Sequence, residues 1–151
     1  MNKFEIVRDE FRAYPNVEIK LPARTTKGSA GYDICTPVDI DIKPNETCAV
    51  KTDIKAKVKD NEVLLVFIRS SVGIKKRVML PNSVGVIDSD FYNNLDNDGN
   101  ITLALYNFGT ETQHFKAGDR IAQGMFVKYD VTVDDNANGE RVGGIGSTNA
   151  R

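Results

Sequence analysis

Residues 54–68 read IKAKVKDNEVLLVFI, and this stretch decides the fold class. Ile54, Ala56 and Val58 alternate with lysines, which predicts a strand with one face in the core and one face in solvent. A polar turn follows at residues 59–61. The continuous apolar run 62–68 then predicts a second strand, covered on both faces.

The same alternation extends in both directions along the chain. We expect further strands at residues 38–42, 78–80, 84–87, 101–106 and 121–129. Short turns rich in Pro, Asn, Asp and Gly separate them, and only the region after Ser70 leaves room for one short helix. Many short strands without long helical segments predict an all-β fold, a sandwich or jelly roll, in a single domain.

The last sixteen residues differ from the rest. Residues 136–151, NANGERVGGIGSTNAR, are small and Gly-rich with almost no apolar anchor. Such a segment cannot bury enough surface to order itself. We therefore expect a β-domain at residues 1–135 and a mobile C-terminal arm at residues 136–151 that orders around a ligand.

Composition removes several classes of function. Twenty Lys and Arg residues balance 21 Asp and Glu residues. The chain therefore lacks the excess of positive charge that is typical of nucleic-acid-binding proteins. No apolar run approaches the roughly 18 residues that a membrane span needs, and the start of the chain lacks the apolar core of a signal peptide, so we expect a cytoplasmic protein. Two cysteines, Cys35 and Cys48, and one histidine, His114, are too few for a disulfide scaffold, a zinc site or a histidine triad.

Two segments suit phosphate binding. Arg69-Ser70-Ser71-Val72-Gly73 follows the apolar strand, and it is either a helix N-cap or a cradle in which hydroxyl and N–H groups face an anion. Residues 143–148, GGIGST, lack the lysine of a Walker motif. Their glycines still let backbone N–H groups approach oxyanions closely, although a plain flexible tail has the same composition.

The segment 82–92, NSVGVIDSDFY, places two acids at the end of an apolar strand. Asp88 directly follows Val86 and Ile87, where burial can raise the pKa of a carboxyl toward the range of a general base. Asp90 has the position of an ordinary turn carboxylate. With no Ser–His pair in reach, a carboxylate base combined with phosphate-binding loops is the enzyme chemistry that the residues favour.

Five stretches, in order, resemble the five motifs of trimeric dUTPases. They are 30–34 (AGYDI), 69–73 (RSSVG), 82–91 (NSVGVIDSDF), 118–123 (GDRIAQ) and 141–148 (RVGGIGST). The resemblance implies a jelly-roll-like subunit of the β-clip type, a homotrimer with three shared active sites, and an arm that crosses onto a neighbour. It implies hydrolysis of dUTP to dUMP and pyrophosphate.

The resemblance also implies roles for individual residues. Asp88 activates the water that attacks the α-phosphorus, and Mg²⁺ is held by the phosphates and water with Asp33 nearby rather than as a direct ligand. The implied phosphate ligands are Arg69, Ser70, Ser71, Gln123, Arg141, Gly146, Ser147 and Thr148. The implied uracil and deoxyribose contacts are Asn82, Gly85, Val86, Ile87, Phe91 and Ile145.

Three features depart from the family pattern. Phe91 replaces a tyrosine whose ring packs under the deoxyribose, and the ring itself is kept. Ile145 replaces an aromatic residue that stacks on uracil, so we expect weaker closure of the arm or another aromatic residue in its place. The polar loop 93–100, NNLDNDGN, is longer than usual.

Two alternatives remain at this point. A dCTP deaminase has a related fold and a similar RSS motif, but it needs a glutamate where this chain has Ala104, and alanine cannot transfer protons. A phage-type dUTPase that also binds a repressor protein is the second alternative, with the loop 93–100 as a candidate contact.

Overall fold

The computed structural model describes residues 1–146. Within this part, the strands are β1 (Lys3–Ile6), β2 (Tyr32–Cys35), β3 (Ile40–Ile42), β4 (Thr47–Lys51), β5 (Ile54–Lys57), β6 (Glu62–Ile68), β7 (Val78–Met79), β8 (Gly85–Ile87), β9 (Thr102–Asn107), β10 (Gln113–Phe115) and β11 (Arg120–Lys128). Helix α1 spans Ser70–Lys76, and single 3₁₀ turns span Asp9–Phe11 and Ser89–Phe91. The prediction of an all-β fold with at most one short helix is confirmed.

The strands form antiparallel sheets around one core. A four-stranded sheet has the order β2-β11-β6-β8, and a three-stranded sheet has the order β4-β9-β7. The pairs β1-β5 and β3-β10 complete the fold. Buried apolar side chains of both larger sheets belong to the same core, among them Ile34, Leu64, Val66, Val50, Leu103 and Leu105.

Strand β6 is central to the four-stranded sheet, since it pairs with β11 on one side and β8 on the other. Leu64 and Val66 are buried, whereas Val63, Leu65 and Phe67 on the opposite face remain partly exposed. The expectation that this strand is covered on both faces is therefore wrong for the single chain. This apolar face stays partly exposed because, within residues 1–146, no second layer packs on it.

Lys55 also departs from expectation. The alternation places it in solvent, yet it is only 5% exposed. Its ammonium donates to Asp98 Oδ2 at 2.8 Å and to Asn93 Oδ1 at 2.6 Å. Asp98 is fully buried and also accepts from the backbone N–H of Arg8 at 2.8 Å and from its guanidinium at 2.9 Å. Burial alone would raise the pKa of Asp98, but these donors outweigh burial and hold the pKa below its ordinary value.

The loop 93–100 is therefore part of the folded body. Asn100 accepts from the N–H of Asp53 at 3.0 Å and donates to the Asp53 carboxylate at 2.9 Å, and all of these polar atoms are buried. Asp53 in turn accepts from the N–H groups of Ala13 and Tyr14 at 2.8 and 2.9 Å. The loop thus connects β5 to the N-terminal segment.

The remaining features agree with the composition. Cys35 and Cys48 are free thiols, and burial raises the pKa of both. His114 is exposed and lies on β10. Among residues 1–146, no helix has the length and apolar character that crossing a membrane would require.

Candidate active site

A cleft of about 260 Å³, here named the hairpin cleft, opens at the end of β8. Its lining residues are Asn82, Gly85, Val86, Ile87, Asp88, Phe91, Thr102, Arg141, Ile145 and Gly146. Every residue that the sequence assigned to uracil or deoxyribose lies here, together with Asp88. Thr102 was missed, because it is the first residue of β9 and no motif marks it.

The backbone of the hairpin is held in a tight turn. Ser83 has φ +65°, its N–H donates to the carbonyl of Leu80 at 2.9 Å, and the N–H of Val84 donates to the carbonyl of Asn82 at 2.8 Å. A Cβ on Gly85 would lie 3.2 Å from Val66 Cβ, so a larger residue there would push β8 away from β6. The turn therefore presents backbone donors and acceptors at a fixed position.

Asp88 lies at the mouth of this cleft. Its backbone is extended, and its side chain is 51% exposed. The expected burial of Asp88 is thus absent, because Val86 beside it points into solvent. Arg141 donates to Asp88 Oδ2 and to Asp90 Oδ1, both at 2.7 Å, and its own side chain is only 10% exposed. The guanidinium also lies 5.8 Å from the centre of the Phe91 ring.

Tyr92 takes no part in this cleft. Its hydroxyl donates to Glu5, and the ammonium of Lys55 lies 5.0 Å from the centre of its ring. The hydrogen bond to the Glu5 carboxylate raises the pKa of the Tyr92 phenol. The side chain therefore points away from the cleft that Phe91 lines.

A second cleft of about 370 Å³, here named the helix cleft, lies where β6 passes into α1. Its lining residues are Thr25, Thr26, Ser29, Ala30, Gly31, Asp33, Arg69, Ser70, Gln123 and Met125. It brings together residues of the first, second and fourth motif stretches. Thr25, Thr26 and Ser29 were missed, although three hydroxyls just before Ala30 were a readable signal.

The start of α1 is built differently from a serine N-cap. Arg69 occupies the N-cap position with no side-chain capping bond, and Ser70 and Ser71 are the first helical residues. Arg69 Nε lies 2.9 Å from Asp33 Oδ1, and Arg120 Nη1 lies 3.1 Å from Asp33 Oδ2. Asp33 thus pairs with two guanidinium groups, one of which, Arg69, lines the cleft with Ser70. Ser71 is exposed and does not line the cleft.

Asp88 and Ser70 lie toward opposite ends of β6. Ile87 pairs with Leu64, so Asp88 continues toward Val63, whereas Ser70 follows Ile68 at the other end. Ser70 lies seven positions after Val63, which at about 3.3 Å per position is a little over 20 Å. Among the described residues, none lines both clefts. One chain therefore does not bring Asp88 and Ser70 to the same point.

The C-terminal arm lies over the hairpin cleft. From the end of β11 as far as Gly146 it forms neither strand nor helix, and Gly144 is buried while Ile145 is 78% exposed. The resemblance implies an arm that crosses to a neighbouring subunit. In this structure of one chain, the arm contacts the hairpin of its own subunit through Arg141. Ser147 and Thr148 lie outside the described residues, and the division at residue 135 stays a prediction.

Comparison with known proteins gives a consistent result. A model of the dUTPase family matches residues 17–149. The deoxyuridine 5'-triphosphate nucleotidohydrolase of Lactococcus lactis subsp. lactis (strain IL1403) is 41% identical over 149 residues, which is 97% of each chain. That of Wolinella succinogenes is 31% identical and covers 91% of this chain and 90% of its own.

Solved structures agree with the fold. The crystal structure of dUTPase from Streptococcus mutans has a TM-score of 0.74 at 38% identity, covering 85% of this chain and 97% of that one. The dUTPase from phage phi11 of S. aureus has a TM-score of 0.72 at 19% identity, covering 92% and 97%, and supports the fold alone. The family predicted from five short motifs is confirmed: this chain belongs to the dUTPase family.

Proposed function

We propose that the chain hydrolyses dUTP to dUMP and pyrophosphate at a site shared between subunits, with Asp88 activating the attacking water. One observation is central to this proposal. The hairpin cleft gathers the expected uracil and sugar contacts around Asp88, which is the only carboxylate among its described lining residues. The relatives at 41% and 31% identity are named for the same reaction.

Uracil specificity comes from the backbone of the tight hairpin. Asn82 and the peptide groups up to Ile87 read the uracil edge, and the turn leaves no space for the methyl group of thymine. Cytosine would leave an N–H and a C=O mismatched, which costs far more than a lost methylene contact. Phe91 is buried and places its ring under the deoxyribose, where a 2′-hydroxyl would collide.

The chemical step needs only a base and a positioned triphosphate. Asp88 accepts a proton from water as the water oxygen bonds to the α-phosphorus. The bond from the α-phosphorus to the oxygen bridging it to the β-phosphorus breaks, and pyrophosphate leaves with that electron pair. Before this step, Arg141 releases the Asp88 carboxylate, which is then free to accept the proton. Arg141 binds the γ-phosphate instead, together with Gly146, Ser147 and Thr148.

The α- and β-phosphates lie in the helix cleft of another subunit. Ser70 and its flanking N–H groups hold them, and Gln123 completes the pocket, whereas the exposed side chain of Ser71 lies outside the cleft. Arg69 supplies positive charge, and the ion pairs of Asp33 with Arg69 and Arg120 fix its direction. The roughly 20 Å between Asp88 and Ser70 of one chain supports a site shared between subunits.

A homotrimer with three such sites fits the surface of the chain. Val63, Leu65 and Phe67 of β6 leave an apolar face partly exposed, and Met125 and Val86 lie opposite Leu65 on the neighbouring strands. Burying this face against another subunit would remove it from water. A closed ring also gives every helix cleft one hairpin.

Mg²⁺ fits as a cofactor that the nucleotide brings. Residues 1–146 contain no group of three His, Cys, Asp or Glu side chains that could hold a metal by themselves. Asp33, the acid nearest to the proposed phosphates, is already neutralised by two arginines, so it suits a hydrated ion rather than a directly bound one. When bound, the ion neutralises the triphosphate and aligns it for in-line attack.

The two alternatives find less support. Ala104 lies on β9 and does not line the hairpin cleft, so the proton-transfer group of a deaminase has no counterpart there. In the loop 93–100, Asp98 and Asn100 are hydrogen-bonded within the fold and are not available to a protein partner. The exposed apolar side chain of the loop is Leu95, which is 80% exposed. Neither observation favours deamination or repressor binding over hydrolysis.

The test uses four nucleotides. Purified protein with Mg²⁺ is incubated separately with dUTP, dCTP, dTTP and UTP, and pyrophosphate and ammonia are measured. We expect pyrophosphate from dUTP, little from the other three, and no ammonia from dCTP. Comparable turnover of dTTP would overturn the uracil pocket, and ammonia from dCTP would favour the deaminase.

A further inference from the structure

The loop 93–100 contacts the C-terminal arm at a point that none of the proposed substrate ligands occupies. Asp96 Oδ2 accepts a hydrogen bond from the N–H of Gly144 at 3.3 Å. A Cβ on Gly144 would lie 2.9 Å from that same oxygen and 2.8 Å from Asn97 Nδ2. Only a glycine lets the arm approach the loop so closely.

The loop surface at this point is rigid. Asn94 Oδ1 accepts from the N–H groups of Asp96 and Asn97 at 3.0 and 3.1 Å. Asn97 Oδ1 accepts from Asn94 Nδ2 at 2.7 Å and from the N–H of Gly99 at 3.0 Å. Asn97 therefore cannot turn aside to make room for a larger residue at position 144.

The loop is also tied to the backbone of Phe91, the residue proposed to place its ring under the sugar. Asn94 Nδ2 donates to the carbonyl of Phe91 at 2.8 Å, and Asp98 anchors the loop on Lys55 and Arg8. A segment docked on Asp96 and Asn97 is thereby placed relative to Phe91. Ile145 is the next residue of the arm and lines the hairpin cleft. It also lines a third cleft, separate from the helix cleft, together with Asp96 and Asn97.

We propose that Asp96 and Asn97 form a docking point for the arm, which positions it over the nucleotide without itself touching the nucleotide. The contact between Asp96 and Gly144 helps to keep the arm in place. An aromatic residue at position 145 would do the same by stacking, whereas Ile145 is largely exposed. Asp96 is thus a positioning residue. Its effect on turnover rests on the proposed function, whereas its effect on the arm does not.

The first test measures how well the arm is docked, independently of catalysis. Trypsin cleaves after Arg141, whose side chain is 10% exposed while the arm is docked. In Asp96→Ala and Gly144→Ala, without nucleotide, we expect cleavage after Arg141, identified by mass spectrometry, to be roughly 3- to 10-fold faster, as expected for the loss of one hydrogen bond of ordinary net strength. Asp96→Asn keeps an acceptor oxygen and should fall between, and Leu95→Ala, an exposed neighbour, should match wild type. Unchanged cleavage in Asp96→Ala overturns the docking, whether or not dUTP is hydrolysed.

The second test separates positioning from direct action on substrate. In the full-length chain, Asp96→Ala should lower kcat for dUTP by a similar factor with an unchanged Tm. In a chain truncated after Asn138, the same substitution should have no further effect on the residual rate, because its partner is gone. An equal loss in the truncated chain would overturn the proposal, since Asp96 would then act without the arm. If truncation itself leaves the rate unchanged, the proposed role of the arm fails instead, and the cleavage assay still decides the docking.

Discussion

Two inactive variants should restore activity when they assemble together, because one damages the hairpin cleft and the other the helix cleft. Asp88→Ala removes the base. Ser70→Glu places a carboxylate where phosphates bind, at an exposed first position of α1 where an acidic residue suits the helix start. Neither side chain is in the core, so both variants should fold and assemble.

The size of the effect follows from the distance along β6. With Asp88 and Ser70 of one chain roughly 20 Å apart, each working site takes its hairpin from one subunit and its helix cleft from another. In randomly mixed 1:1 trimers, half of the hairpins and half of the helix clefts are intact. About one quarter of all sites then receive two intact halves.

The assay is pyrophosphate release per subunit after joint refolding, with mixed assemblies verified by native mass spectrometry. We expect about one quarter of wild-type activity if sites combine at random across a ring. The control mixes Asp88→Ala with a chain that has both substitutions, in which no site can be complete. Mixed assemblies that stay as inactive as this control would refute the reasoning, since Asp88 and Ser70 would then serve one nucleotide within a single chain.

Four further predictions concern single changes. Asp88→Asn keeps the shape of the base and removes its basicity, so kcat should fall by roughly 10²- to 10⁴-fold with dUTP affinity retained; a few-fold effect, with Asp90→Asn inactive, would identify the other acid as the base. Truncation after Asn138 should leave Tm and assembly unchanged and sharply lower kcat, because phosphate positioning and water exclusion are lost; a lower Tm would show that the arm belongs to the folded body. A chelator should abolish activity without lowering Tm, since the described residues form no metal cluster; destabilisation by the chelator would contradict this. Asp98→Asn should destabilise the protein by roughly 3 kcal/mol at neutral pH, because it leaves Lys55 buried without its counter-charge. The pKa of Asp98 is lowered on folding, so its stabilisation is present above a pH of about 4 and is lost as pH falls through the folded-state pKa; denaturation curves of wild type and variant should converge in acid.

The sequence was most informative where local pattern and packing agree. The apolar run of β6 was predicted with its observed bounds, and the five motif stretches identified the family and the residues that line the hairpin cleft. Strands β1, β2, β4 and β10 were missed, because each has only three to five residues, too few for a periodic pattern to stand out. Each forms only by pairing with a single partner strand.

Errors arose where the partner is distant in sequence. Lys55 fits an exposed position in an alternating strand, and only Asp98, 43 residues later, makes its burial favourable. The exposure of Asp88 could not be read from Val86 and Ile87 either, because the direction of Val86 depends on how β8 pairs with β6. In both cases the neighbouring residues suggest one environment and tertiary pairing imposes another.

The buried charges of the loop 93–100 have a consequence for natural variation among relatives. Surface insertions usually come and go freely during evolution, because they contribute little to the core. This one neutralises an ammonium inside the protein, so Asp98 and Lys55 should be gained or lost together, with Arg8 following Asp98. A homologue with a short turn after the hairpin should have an apolar or small residue in place of Lys55, and a loop transplanted without both cations should fail to fold.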